Sequence, residues 1–183
     1  MNMNLPNKLT IIRVIMIPIF LAVLSAEFLD GNSARIISAA IFVLASLTDA
    51  LDGYIARSRN LITTFGKFAD PLADKLLVCA ALIALVELGD LPSWVVILIV
   101  SREFIVTGFR VIAAEKGIVI AAGTMGKFKT VFQMLMTIFL ILPLKGGVYD
   151  YIGWALIIIA SVLTVWSLIE YLYKNVGVLK DGK

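Results

Sequence analysis

Histidine is absent from the 183 residues, and cysteine occurs once, at Cys79. The first absence excludes imidazole acid–base chemistry and His-ligated zinc. The second excludes an intrachain disulfide and any thiolate metal cluster. Carboxylates are left as the plausible bases and hard-metal ligands. Charge is scarce too, at 16% of residues, against about a quarter in an ordinary soluble domain. No repeat, low-complexity segment or soluble insertion breaks the chain, which reads as one domain over residues 1–183, and no nucleic-acid partner is expected. What fills the sequence is apolar: 61% hydrophobic residues, with a mean hydropathy of +1.00. Runs of about 20 apolar residues, long enough to span a bilayer, recur along it. The run after Leu9 is too long for a signal-peptide core and lacks a small-residue cleavage site. It is expected to stay in the product as a first transmembrane helix.

The pattern predicts six helices at about 8–28, 34–58, 67–88, 92–114, 124–142 and 148–173. Breakers separate them: Asp30-Gly31-Asn32, Arg59-Asn60, Gly89 to Pro92, Gly117 to Gly123, and Pro143 to Gly147. The fold class expected is an all-α integral membrane protein of six transmembrane helices. Lysine and arginine set its orientation. One set of helix ends holds Lys8, Arg13, Arg57, Arg59, Lys67, Lys116, Lys127, Lys129, Lys174, Lys180 and Lys183. The opposite turns hold only Arg35 and Lys145, beside Glu27, Asp30, Glu87, Asp90 and Asp150. The positive-inside rule then predicts both termini in the cytoplasm.

Four aspartates stand against this background: Asp49, Asp52, Asp70 and Asp74. An unpartnered carboxylate in the hydrocarbon region costs roughly 2.5–3.5 kcal/mol, so four would cost on the order of 10 kcal/mol. Orientation puts Asp49 and Asp52 in the last turns of the second helix. It puts Asp70 and Asp74 in the first turns of the third, where Pro71 would have no intrahelical bond to lose. All four are expected at one depth, lining a polar cavity at the cytoplasmic side. The spacings i, i+3 and i, i+4 give each pair a shared helix face. Small residues on those faces, Gly53, Ala56 and Gly66, allow close approach. Oxygen-only ligands suit Mg²⁺ or Mn²⁺, with Ca²⁺ as a non-productive occupant, and two such ions would neutralise the four charges. Paired hard metals suit phosphoryl transfer.

The string Asp49-x-x-Asp52-Gly53-x-x-Ala56-Arg57, eight residues, then Gly66-x-x-x-Asp70-x-x-x-Asp74 resembles the signature of the CDP-alcohol phosphatidyltransferase family at every fixed position. The resemblance implies a membrane enzyme, usually a homodimer, that moves a phosphatidyl or similar group from a CDP-linked donor to an alcohol and releases CMP. It implies that Asp49, Asp52, Asp70 and Asp74 hold the metals and that Asp74 is also the general base. It further implies that Gly53, Ala56, Gly66 and Arg57 contact the donor, with Thr10 and Arg13 near its headgroup. The stretches Ser101-Arg102-Glu103-Phe104-x-x-Thr107-Gly108-x-Arg110 and Pro6-Asn7-x-Leu9-Thr10-x-x-Arg13 resemble the bacterial branch that joins CDP-diacylglycerol to sn-glycerol 3-phosphate. That branch implies a bacterial cell membrane. Lys67, Arg110 and Lys127 add more positive charge than a metal-held diphosphate needs, so a phosphate-bearing acceptor would account for them.

Each reading has a plainer competitor. The aspartates could be solvated helix ends, Lys127 ordinary positive-inside charge, and Thr10 and Arg13 interfacial anchors. Lys129 reads as topological or lipid-facing. Arg102 and Glu103, splayed by about 100° on a helix, are expected to pair with other helices rather than each other. Trp94, Trp154, Trp166, Tyr149, Tyr151, Tyr171 and Tyr173 read as interfacial belt residues. Other acceptors (inositol phosphate, serine, phosphatidylglycerol) stay open. So does a divalent-cation transporter, although the second and third helices turn apolar beyond their aspartates and suggest a blind cavity.

Overall fold

The computed structural model describes residues 5–26, 29–58, 64–118, 120 and 123–179. Side chains are described for all of these except 5, 6, 49–58, 64, 65, 67, 68, 178 and 179. Six α-helices and a short 3₁₀ turn follow one another: α1 Leu5–Leu24, α2 Gly31–Ser58, α3 Thr64–Glu87, α4 Ser93–Glu115, α5 Thr124–Ile141, α6 Val148–Asn175, and the turn Val176–Leu179. No strand occurs among the described residues. Among the described residues, three segments are long and apolar enough to cross a membrane: Asn7–Leu24, Gly31–Thr48 and Val148–Asn175.

Local chemistry explains the ends. Asp30 precedes α2 and accepts the backbone N–H of Ser33 at 3.0 Å. The Ser33 hydroxyl and this N–H hold its carboxyl below the usual range. Gly89 (φ 74°) and Gly117 (φ 70°) close α3 and α4 in the left-handed conformation that glycine adopts without penalty. In each case the next N–H reaches back five residues, from Asp90 to Leu85 and from Ile118 to Ala113, capping a bare carbonyl. Pro71 departs from expectation. Because α3 starts at Thr64, Pro71 lies inside the helix rather than in its first turn, and α3 gives up one backbone bond there.

The chain divides into two compact units, Met1–Asp90 with Thr137–Leu144, and Leu91–Met136 with Lys145–Lys183. In the first, α1, α2 and α3 pack on one another. The buried stripe of α1 runs Asn7, Thr10, Arg13, Ile17, Phe20, Leu24, polar in its first half and apolar in its second. Phe20 meets Phe42 of α2 with ring centroids 6.0 Å apart. The opposite end of this unit is stapled by Arg35, which donates to the carbonyl of Leu140 at 3.2 Å and pairs with Asp90. Its fork joins the start of α2, the turn after α3 and the end of α5. Arg35→Ala leaves Asp90, only 15% exposed, without this partner, and is expected to cost about 3 kcal/mol. Melting in detergent reads that loss, and Arg35→Lys should recover less than half of it because an ammonium has no fork.

In the second unit α4 packs on α6. The buried face of α6 is built mainly from small residues, Gly153, Ala160, Ser161, Thr164 and Ser167, with Ile157 among them, before ending in Tyr171. Val95, Ile99, Val106, Phe109 and Ala113 are the buried residues of α4. Their four-and-three spacing has one gap, and Arg102 fills it.

Candidate active site

Two groups of functional side chains emerge, one in each unit. The first lies where α1 and α3 begin and α2 ends. Buried α2 residues Ser38, Phe42 and Ala45 are spaced four and three apart. The same spacing carried onward reaches Asp49, Asp52 and Ala56, which fall on the last turns of α2 together with Gly53 and Arg57; the side chains of these five lie outside the described residues. On α3, Gly66 is buried, Asp70 and Asp74 are half-buried, and Ala73 and Leu77 continue the buried stripe. The Lys67 side chain is also outside the description. Thr10, 1% exposed, donates its hydroxyl to Asp70 Oδ1 at 2.5 Å. One turn along α1, Arg13 is fully buried. Neither residue is an interfacial anchor; both are built into the aspartate end of the unit.

The Thr10–Asp70 bond ties α1 to the carboxylate. A hydrogen bond to an ionised group contributes about 1.5–3 kcal/mol. Thr10→Val removes the hydroxyl at nearly constant volume. It is expected to lower the unfolding free energy by that amount, with Thr10→Ser retaining most of it in the same denaturation assay.

The second group lines a cavity of about 440 Å³ in the α4–α5–α6 unit. Arg102 Nη1 donates to Glu103 Oε1 at 2.9 Å, and Lys129 Nζ donates to the same oxygen at 2.7 Å. Glu103 thus pairs with another helix, as expected, through Lys129 of α5, and against expectation it also pairs with its sequence neighbour Arg102. Lys129 corrects a second expectation: at 2% exposure it is buried against Glu103 and meets no lipid. Gly126 makes room for this cluster, since a Cβ there would sit 3.3 Å from Arg102 Nη2. Arg110 borders the cavity with no ion pair among the described residues, its guanidinium 5.9 Å from the centroid of the Tyr171 ring. Tyr171 is no belt residue: it is 7% exposed and packs edge-on against Phe109. Glu170 pairs with Lys174 at 2.5 Å, and both also line the cavity. Lys127 is exposed and does not line it.

Counting Lys129 with the lining groups gives four cations (Arg102, Arg110, Lys129, Lys174) against two carboxylates (Glu103, Glu170). Such a site favours an anion. The aspartate end has the opposite character, with hard oxygen ligands that suit a small divalent cation. Tyr171 escaped sequence reasoning because an aromatic near a helix end matches the belt pattern. The small-residue spacing of α6 that leads to it was the available signal.

One unit thus carries carboxylates of the kind that suit hard cations, and the other carries a cationic cavity that favours an anion. The chain belongs to the CDP-alcohol phosphatidyltransferase family, whose model matches residues 3–166 and runs through both units. Among curated proteins it is 46% identical to the CDP-diacylglycerol–glycerol-3-phosphate 3-phosphatidyltransferase of Bacillus subtilis (strain 168), over 191 aligned positions covering 98% of each chain. It is 42% identical to the protein of that name from Rickettsia bellii, over 88% of this chain and 90% of the relative. The Haemophilus influenzae protein of the same name is 40% identical over 100% and 98%.

Proposed function

We propose that this chain transfers the phosphatidyl group of CDP-diacylglycerol to sn-glycerol 3-phosphate, giving phosphatidylglycerophosphate and CMP. The observation that carries the reading is similarity over nearly the full length to relatives of that name. Arg110, which lines the cationic cavity and has no ion pair among the described residues, supports an acceptor that itself bears phosphate.

In this reading Asp49, Asp52, Asp70 and Asp74 hold two divalent cations, Mg²⁺ or Mn²⁺, and the Asp70–Asp74 spacing with its all-oxygen chemistry fits them. Bound there, the cations supply charge neutralisation for the donor diphosphate and for the departing CMP. Thr10 fixes the Asp70 carboxylate. Thr10, Arg13, Gly53, Ala56, Arg57 and Gly66 seat the donor headgroup. Lys67, Arg110 and Lys127 attract and orient the acceptor phosphate. Asp74 takes the proton of the glycerol 1-hydroxyl as that oxygen attacks the phosphatidyl phosphorus in line and CMP leaves. The chain works as one domain over residues 1–183, with six spans and cytoplasmic termini. Its site opens to the cytoplasmic face of a bacterial membrane, and the protein is a homodimer.

The test supplies purified protein with CDP-diacylglycerol and Mg²⁺ or Mn²⁺, then offers acceptors singly and follows CMP. Turnover confined to sn-glycerol 3-phosphate is expected. Turnover with serine, inositol phosphate or phosphatidylglycerol in its place would reassign the acceptor. Mn²⁺ flux into liposomes without CMP release would make the protein a transporter.

A further inference from the structure

Serine and threonine hydroxyls inside helices ordinarily turn back on their own backbone. Those of Ser46, Thr48, Thr130, Thr164 and Ser167 do so here, each donating to a carbonyl three or four residues earlier at 2.6–3.0 Å. Thr10 departs from this habit. Its hydroxyl leaves α1 and donates to Asp70 Oδ1 on α3 at 2.5 Å, and the residue is 1% exposed. A packed, β-branched side chain holds its hydroxyl in one direction. The two oxygens of Asp70 are therefore in unlike states. Oδ1 has committed a lone pair to Thr10, and the capacity to bind a cation is concentrated on Oδ2. Hard cations differ in how they use such a group. Ca²⁺ gathers about six to eight oxygens and accepts both oxygens of one carboxylate, whereas Mg²⁺ demands near-octahedral geometry and is served by one or two carboxylates plus waters.

We infer that Thr10 is a positioning residue that holds Asp70 as a one-oxygen ligand, and so tilts the aspartate end toward small octahedral cations, Mg²⁺ or Mn²⁺, and against Ca²⁺. This rests on the metal reading proposed above and adds to it the residue that decides which cation is taken. The role is exercised through Asp70, apart from any contact with the donor. The surroundings suit it. Asp70 and Asp74 lie one turn apart on α3, both half-buried, with the buried Gly66 one turn before them, so the oxygen set faces a narrow, partly dry space rather than open solvent. In such a space a ligand's direction matters more than its charge alone, and a hydrogen-bond partner of the ligand sets that direction.

The test is Mn²⁺ binding to the purified full chain in detergent without substrates, read from the loss of the free-ion electron paramagnetic resonance signal, with Ca²⁺ then titrated in as competitor. Thr10→Val removes the hydroxyl at nearly constant volume. It is expected to weaken Mn²⁺ binding about tenfold and leave Ca²⁺ binding within about twofold, in line with the loss of a hydrogen-bond partner from a metal ligand. Ca²⁺ should then displace Mn²⁺ at a correspondingly lower concentration ratio than in the wild type. Thr10→Ser keeps the hydroxyl and is expected to keep the wild-type ratio. A Thr10→Ser protein that behaves as Thr10→Val would make packing of the methyl group the cause and overturn the inference. Equal Mn²⁺ affinity and equal Ca²⁺ competition in the wild type and Thr10→Val overturn it too, and leave the metal reading standing. So does parallel weakening of both cations, because the hydroxyl would then serve affinity without selecting. Absence of Mn²⁺ binding in the wild type overturns the inference and the metal reading together. Where Thr10→Val does not fold, Thr10→Cys offers similar size with a weak donor. Its ratio is expected to shift in the same direction, and an unshifted ratio there is equally fatal.

Discussion

Asp74→Asn is expected to reduce turnover by 10² to 10⁴-fold, roughly the range that a positioned general base contributes, while binding of CDP-diacylglycerol persists. Asparagine has the shape of aspartate and one of its oxygen acceptors, but its amide cannot take a proton. A chain without histidine has no imidazole to take its place. Asp70, the other described carboxylate of this group, already receives the Thr10 hydroxyl at 2.5 Å, so one of its oxygens is engaged. The measurement is single-turnover CMP release beside equilibrium binding of the donor. Undiminished release would remove Asp74 from the proton transfer. Loss of binding in step with turnover would confine it to holding metal.

Stripping divalent cations is the second large effect. With excess chelator, turnover is expected to fall below about 1% and to return on adding Mg²⁺ or Mn²⁺, since metal-ion stabilisation of a reacting phosphate is worth several kcal/mol. Stability should move in the same direction. Asp70 and Asp74 are one helical turn apart, about 5–6 Å between Cβ atoms. Two carboxylates at that distance repel by about 3 kcal/mol at an effective dielectric of 20. Chelation should therefore lower the melting temperature of the wild type, and lower it far less in Asp70→Asn/Asp74→Asn, where the repulsion is gone. Full turnover in the presence of chelator would sink the metal reading.

The helices were legible because glycine and proline punctuate them. All six begin within about three residues of expectation, and α5 and α6 begin at Thr124 and Val148 as expected. Pro71 misled because its tolerance at a first turn is a rule about frequency, and α3 accepts the lost bond in mid-helix. The aspartate motif was legible because its spacing is a helix-face spacing. The second cavity was not. Its walls depend on which cation Glu103 selects and on how far Lys129 is withdrawn from lipid, and both are decided by packing between helices that lie far apart in sequence. Tyr171 was missed for a related reason, since burial of one face of α6 depends on small residues up to 18 positions earlier, beginning at Gly153.

The mixed character of α1 bears on how the protein is made. Its second half is an ordinary apolar span, but its first half seals Asn7, Thr10 and Arg13 against neighbouring helices. Released alone into a bilayer, that half would present a bare guanidinium and hydroxyl to lipid, or pull them toward the headgroups and shift the helix along its axis. The final seat of α1 exists only once α3 is present and Asp70 can meet Thr10. The contact that seats α1 is thus the one that engages a carboxylate of α3.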